Sequence, residues 1–413
     1  MAQAIAITDR QAAFRAPLTE GMRGLLFLLD EAGRKRKMGQ SRSEKELLIG
    51  MHETEGVGWL TIERILAGGA LEGAERRREK DWKELALSAK QAENLVRRLS
   101  AERMEEEIER REKAGIQAIT ALDPAYPALL RQLPDAPWVL YYAGRLELLD
   151  RPALSIVGTR MATAYGKKVT EELSSACSAA GLTIVSGLAR GIDTSAHAGA
   201  LGKPGSTIAV LASPADYPYP PENRGLYREI ASQGLILSEA PLGTPLTKGH
   251  FYLRNRIIAG LSQGTLVVEA GEGSGAMITA KHAFENDRDL FIVPGPITSP
   301  RSVGPLRLLR EGAKPVMNAD DILVDYERAL GDWNARFSQP EKRQERRYST
   351  DPEEERLSEA EESLYELLLE EPRTIDDLSE RSGMSLGSLH TMLLSLQMKR
   401  LVQQLPGAVF AVV

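Results

Sequence analysis

The sequence predicts an α/β protein built around a doubly wound, mostly parallel sheet, and three observations carry that prediction. Six short apolar runs, LSIVG, LTIVSG, TIAVLA, LILSE, TLVVEA and DLFIVPG, recur from residue 154 onward. Continuous apolar runs of this length are strands buried on both faces. Helical stretches separate them, and right-handed crossovers through those helices lay successive strands parallel. Several of the runs end in glycine turns, which open the carboxyl edge of such a sheet to ligands.

At 413 residues the chain is long enough for two or three units of about 150 residues each. Residues 1–43 form a poorly specified extension, whose short apolar run is flanked by charge on both sides and fits neither a signal peptide nor a transit peptide. Residues 44–118 read as a small helical domain, SAM-like or helix-hairpin-helix-like: LLIGMHETEGVGWLTIERIL is broken by Gly56 and Gly58 and followed by RMEEEIERREKAG. The EGVG turn resembles one whose amides hold a DNA phosphate, and packing alone explains it equally well. Residues 119–328 hold the sheet. Residues 329–356 are a linker, because FSQPEKRQERRYSTDPEEERLSEAEE is dense in charge and nearly free of aliphatic side chains. Residues 357–413 run helix, helix, helix and short hairpin, the order of a winged helix, with Thr374 and Ser385 as helix caps.

The net charge of -6 excludes a generally basic coat, so any polyanion site must be a local patch. Residues 151–320 carry 17 Lys/Arg against 14 Asp/Glu, whereas residues 357–413 carry 4 against 9. Positive charge is therefore concentrated in the sheet domain. The single cysteine, Cys177, cannot form an internal disulfide, and no apolar stretch reaches the roughly 18 residues that span a bilayer. A cytoplasmic protein with no membrane contact is expected. The five histidines are scattered, so no metal site is expected, and with neither a Walker A loop nor GxGxxG present no cofactor is expected either.

The residues from Glu239 to Glu269 enclose a stretch free of carboxylates that holds Lys248, His250, Phe251, Tyr252, Arg254 and Arg256. Cations that follow phosphates and aromatic faces that stack on any base are what single-stranded nucleic acid requires. A helix start with core aromatics and solvated arginines gives the same pattern. The glycine turns add to it: LSIVG leads into Thr159 and Arg160, LTIVSG into a loop with Ser186, Gly187, Arg190 and Gly191, and TLVVEA into Gly273, Ser274 and Gly275. Free amides at three such turns, with arginines at two, make a phosphate-binding edge. Glu239 and Glu269 each end a strand and are open to two readings, paired carboxylates for glycosidic hydrolysis or ligands for arginines and helix amides. His197 reads as a structural hydrogen-bonding residue rather than a base. No catalytic residue is assigned.

SIVGTR, IVSGLARGIDTSAH, FYLRNRIIAGLS, VVEAGEGSGAMITA and IVPGPI, in this order over about residues 120–325, resemble the DNA-processing protein A (DprA or Smf) family. The resemblance implies an extended Rossmann-like fold and a homodimer formed through it. It also implies sequence-independent binding of single-stranded DNA and loading of the RecA recombinase in natural transformation, without enzymatic activity. The family's DNA pocket falls on Arg190, Lys248 and Phe251, with Arg254, Asn255 and Arg256 beside them and Arg160 at the first strand turn. This chain departs from the pattern at Ala212 and Pro214 in LASPADYPYPPEN, where glycines are usual, at Tyr252, and at Leu306. The alternative is a nucleotide-binding or phosphoribohydrolase-like enzyme on a lysine-decarboxylase-like fold, whose PGGxGTxxE loop is absent here. In the last unit Ser388, His390, Gln397, Lys399 and Arg400 are few and sit among excess acid. Protein contact or weak DNA contact is expected there rather than base reading.

Overall fold

The structure, a computed structural model, describes residues 43–338 and, of the C-terminal part, 359–370, 373–384, 388–389, 392–393, 395–396, 401–405 and 409–412. The expected N-terminal extension, most of the expected linker, and Ser385, His390, Gln397, Lys399 and Arg400 lie outside the described residues. The chain forms two compact units, divided between Gln339 and Pro340.

The first unit opens with helices α1 (Glu44–His52), α2 (Trp59–Ala67), α3 (Glu79–Glu84), α4 (Ala89–Arg98) and α5 (Ala101–Lys113). Ser43 and Ser88 start α1 and α4 as capping boxes, each hydroxyl accepting from the amide three residues on while Glu46 or Gln91 takes the cap's own amide. The sheet follows: β1 (Gln117–Thr120), α6 (Ala128–Arg131), β2 (Val139–Gly144), β3 (Ala153–Val157), α7 (Ala164–Ala179), β4 (Thr183–Ser186), α8 (Ile192–Ala200), β5 (Thr207–Leu211), α9 (Arg224–Gln233), β6 (Leu235–Ser238), α10 (Lys248–Gly260), β7 (Gly264–Val267), α11 (Gly275–Glu285), β8 (Asp289–Ile292), α12 (Val303–Arg310), β9 (Lys314–Pro315) and α13 (Asp320–Ser338).

Its nine strands lie in the order β1-β2-β6-β5-β4-β3-β7-β8-β9, and from β6 to β9 every pair is parallel. The six apolar runs are β3 to β8, so the doubly wound sheet is present as expected. An antiparallel pair, β1 and β2, extends it on one edge. Winding reverses at β3, which pairs with β4 on one side and β7 on the other.

Strand pleating sends alternate residues to opposite faces. Leu154 and Ile156 join Leu173, Cys177, Ile192 and Tyr326 in one core, while Ala153 and Val157 join Ile257, Ile258, Ala276 and Ala280 in the other. Leu47, Ile62 and Leu95 belong to the second of these, so the N-terminal helices and the sheet share one core. Each fully buried Leu or Ile there contributes about 1.5–3 kcal/mol relative to exposure. Helix α13 continues through Ser338, into residues that composition assigned to the linker. Leu330 packs on the core of Leu154 and Ile156, and Trp333 receives the Arg151 guanidinium 5.4 Å from its ring, contacts that composition does not reveal.

The second unit holds α14 (Glu359–Glu370), β10 (Arg373–Thr374), α15 (Ile375–Ser382), β11 (Val402–Leu405) and β12 (Val409–Val412), the strands pairing antiparallel in the order β10-β12-β11. Thr374 caps α15 by accepting from the Asp377 amide at 3.3 Å, and Gly383 ends it at φ 66°. Leu364, Leu368, Leu378, Leu389, Leu393 and Phe410 lie in its core.

Candidate nucleic-acid interface

Three adjacent parallel strands, β3, β4 and β5, open their carboxyl ends into one pocket. Arg160 comes from the loop after β3, Gly187, Ala189 and Arg190 from that after β4, and Ala212, Ser213, Tyr219 and Pro220 from that after β5. Phe251, from the first turn of α10, closes it. The Phe251 ring is half-buried, with the Arg160 guanidinium 5.2 Å from its centroid and the Tyr219 ring edge-on at 5.9 Å. Arg190 is exposed and paired with the exposed Glu222, a contact that solvent screens. Lys248 stands exposed at the first position of α10.

Beneath the pocket lies a buried scaffold. Arg254 is 6% exposed, and its Nη1 donates to the Gly187 and Val210 carbonyls at 2.6 and 2.7 Å. Asp193, also buried, accepts from the Gly187 and Ala189 amides at 3.2 and 3.3 Å. Burial lowers the Arg254 pKa to about 10 and raises that of Asp193, and each opposes the other's shift. The guanidinium thus stays charged at neutral pH under the loop it pins. Gly187 is required because a Cβ there would lie 1.7 Å from Arg254 Nη1. His197 Nε2 accepts from the Leu188 amide at 3.2 Å, and its Nδ1 lies 2.7 Å from the Thr207 hydroxyl, which donates to the Ile184 carbonyl. These contacts define an Nδ1–H tautomer, and burial pushes the imidazole pKa down to about 3.

The remaining expected site residues are placed apart from this pocket. Ser186 is fully buried and donates to the Ile156 carbonyl at 2.7 Å. Asn255 accepts from Arg254 Nε at 3.2 Å and donates to the Gly275 carbonyl at 3.2 Å. Arg256 is 5% exposed and gives Nη2 to both Glu239 oxygens, at 2.7 and 2.6 Å. Ser274 and Gly275 open α11, with open space around the Gly275 Cα, and neither lines the pocket. The strip from Lys248 to Arg256 thus divides along the helix: in its first turn Phe251 lines the pocket and Lys248 is exposed, while Arg254 to Arg256, one turn on, are buried.

Glu239 and Glu269 both act as ligands within the fold, Glu239 for Arg256. The Glu269 carboxylate accepts from the Thr163 amide at 2.9 Å and the Thr163 hydroxyl at 2.5 Å, at the start of α7. It fills the crevice between the loops of β3 and β7, where winding reverses and a mononucleotide sits in sheets of this topology. Gly166 makes room for it, since a Cβ there would lie 2.6 Å from the carboxylate carbon.

Sequence reasoning missed Tyr219, Glu222 and Asn223. Asn223 donates to the Leu188 carbonyl at 2.8 Å and to the Thr194 hydroxyl at 3.0 Å, tying the loop after β5 to that after β4. The segment YPYPPEN, which follows the replaced glycines at Ala212 and Pro214, was the available signal: it is too rich in rings for a mere turn. Among the described residues no group of three or more His, Cys, Asp or Glu could hold a metal ion, and no helix is long and apolar enough to cross a membrane.

The family model described as DNA recombination-mediator protein A matches residues 117–327, and that of the DprA winged helix domain matches residues 349–408. Protein Smf of Synechocystis is 33% identical over 406 residues, covering 89% of this chain and 98% of its own. DNA processing protein DprA of Bacillus subtilis is 41% identical over 227 residues, 55% of this chain and 75% of its own. The X-ray structure of DNA processing protein A from Streptococcus pneumoniae matches with a TM-score of 0.61 at 34% identity, covering 69% of this chain and 98% of that one. With the sheet domain and the winged helix both matched in order, the chain belongs to the DNA recombination-mediator protein A family.

Proposed function

We propose that this protein binds single-stranded DNA without sequence preference at the Arg160–Phe251 pocket. It acts as a binding protein rather than an enzyme, forms a homodimer through the Rossmann-like domain, and loads RecA onto incoming DNA in natural transformation. The observation that carries the DNA reading is the half-buried Phe251 ring in a pocket where the Arg160 guanidinium lies 5.2 Å and the Tyr219 ring 5.9 Å from its centroid. An aromatic face stacks on any base, while Arg160, Arg190 and Lys248 follow the phosphates. Dimerisation and recombinase loading rest on family membership.

Three placements weigh against the enzymatic alternative. Glu269 occupies the crevice where a nucleotide's phosphate belongs, Glu239 is tied to Arg256, and His197 is buried and neutral. An activity assay for base release from a nucleoside monophosphate, repeated with Glu269→Gln, tests that alternative directly.

The binding test is a titration of an oligonucleotide single strand, its duplex and free nucleotides at several salt concentrations. Three phosphate contacts on a single strand predict a log–log slope of about -2, or roughly a 20-fold loss for a fourfold rise in salt. Equal affinity for strand and duplex, or a slope near zero, overturns the reading.

A further inference from the structure

On the other side of α10 from the Phe251 pocket lies a second cleft, of about 280 Å³, between the N-terminal helices and the sheet. That volume sits just below the roughly 300 Å³ at which small-molecule sites begin, so it suits one compact group. Its walls are apolar and rigid. Leu253 and Ile257 come from α10, and Trp59 comes from α2, where its Nε1 donates to the Ala136 carbonyl at 2.7 Å and its ring stacks on Trp138 at 5.4 Å.

The polar groups of the cleft are balanced in charge and incomplete in hydrogen bonding. Arg254 and Arg256 stand against Asp135 and Glu239; Arg256 is tied to both carboxylates and Arg254 to the Gly187 and Val210 carbonyls, so a phosphate gains no free cation there. Yet among the described residues Arg256 Nη1 has no hydrogen-bond partner, and Nε lies 3.3 Å from Asp135 Oδ2, within ion-pair range but off hydrogen-bond geometry. Donors on a side chain only 5% exposed ordinarily find acceptors. The Asp135 side chain is 55% exposed and offers acceptor capacity. His52 contacts the Glu239 carbonyl through Nε2 at 2.9 Å, and His250 accepts from the Thr247 amide through Nδ1 at 3.3 Å. Each imidazole keeps its other nitrogen uncommitted among the described residues.

A ligand for this lining is neutral and compact, flat enough to lie against Trp59, and carries donors and acceptors on its edge. We infer that the cleft binds a nucleobase, with its N–H groups on the carboxylates and its ring against Trp59 and Leu253. The cleft and the Phe251 pocket share Ala212 and the first turns of α10, from which His250 and Leu253 face one and Phe251 the other. One strand can therefore place bases on both sides of the helix. That last step rests on the single-strand reading proposed above, whereas base binding by the cleft does not.

The test has two arms on the full chain. In the first, a short single strand is scanned with one abasic site at a time. Wild-type protein should show two separate positions at which loss of the base weakens binding by about 5-fold or more. Leu253→Trp, at a side chain 47% exposed, fills the cleft and should erase one of the two sensitivities while leaving the other. In the second arm, adenosine and cytidine are titrated by calorimetry, and Leu253→Trp should abolish their heat. Asp135→Ala serves as a second variant, expected to weaken nucleoside binding if Leu253→Trp does not fold. A single sensitive position together with no nucleoside binding overturns the inference, as does nucleoside binding that both variants leave unchanged. Nucleoside binding without a second sensitive position upholds the base site and overturns its place on the strand. Complete failure to bind strands, with nucleosides still bound, sinks the single-strand reading alone.

Discussion

Replacing Arg254 by methionine separates a scaffold role from a DNA contact. The side chain is 6% exposed, bonded to two backbone carbonyls, and set opposite the buried Asp193. Methionine keeps much of the volume but leaves the Gly187 and Val210 carbonyls without this donor and Asp193 without its cation. Each buried acceptor left without its donor costs about 1–3 kcal/mol, and the buried Asp193 loses the cation that most favours its charged form. The measurement is urea unfolding at neutral pH for wild type, Arg254→Met, Asp193→Asn and the double variant. The double variant should be less destabilised than the sum of the two singles, because Asp193→Asn removes the charge that Arg254→Met strands. Salt titration of single-strand binding completes the experiment: the slope of folded Arg254→Met should match wild type. Unchanged stability within about 0.5 kcal/mol, combined with a slope reduced by about 0.7, would refute the scaffold argument and put Arg254 on a phosphate.

Phe251→Ala should cost about 1–3 kcal/mol of single-strand affinity if the ring stacks, read by fluorescence anisotropy, and Phe251→Trp should retain binding. An unchanged affinity for the alanine variant returns Phe251 to a packing role. Glu222→Gln frees Arg190 from its surface partner and should tighten binding by up to about 5-fold, since solvent screens such pairs. Weaker binding would mean that Glu222 orders the arginine for its ligand. His197 has a folded pKa of about 3 against about 6.5 unfolded, so the unfolded chain takes up the proton first as pH falls. Its stabilisation is full above about pH 6.5 and is lost toward pH 3, by up to about 1.4 kcal/mol per pH unit. Urea midpoints at pH 6.5 and 5.5 should show that extra loss for wild type and not for His197→Gln.

The sheet was legible because a strand buried on both faces must be apolar throughout, and β3 to β8 all are. β1 and β2 were not, being antiparallel and ending half-exposed, with Tyr142 and Ala143 beside Gly144. The end of α13 was misplaced because its stabilising partners, the sheet face of Leu154 and Ile156 and the Arg151 side chain, are distant in sequence. In the site, Arg160, Gly187, Arg190 and Phe251 share one pocket as the glycine turns and the aromatic strip implied. Tyr219 comes from a loop whose composition signalled rings but not their direction.

Local sequence alone determined the parallel sheet, the edge where ligands gather, and the pairing of cations with an aromatic that points to single strands. Burial was decided only by the tertiary structure. Arg254, Asn255 and Arg256 lie one turn beyond Phe251, where α10 runs into the core, and they meet the Gly187, Val210 and Gly275 carbonyls and the Glu239 carboxylate. A buried arginine and a phosphate-binding one are the same letter in a sequence, because what distinguishes them is the acceptor brought against the guanidinium from elsewhere in the chain.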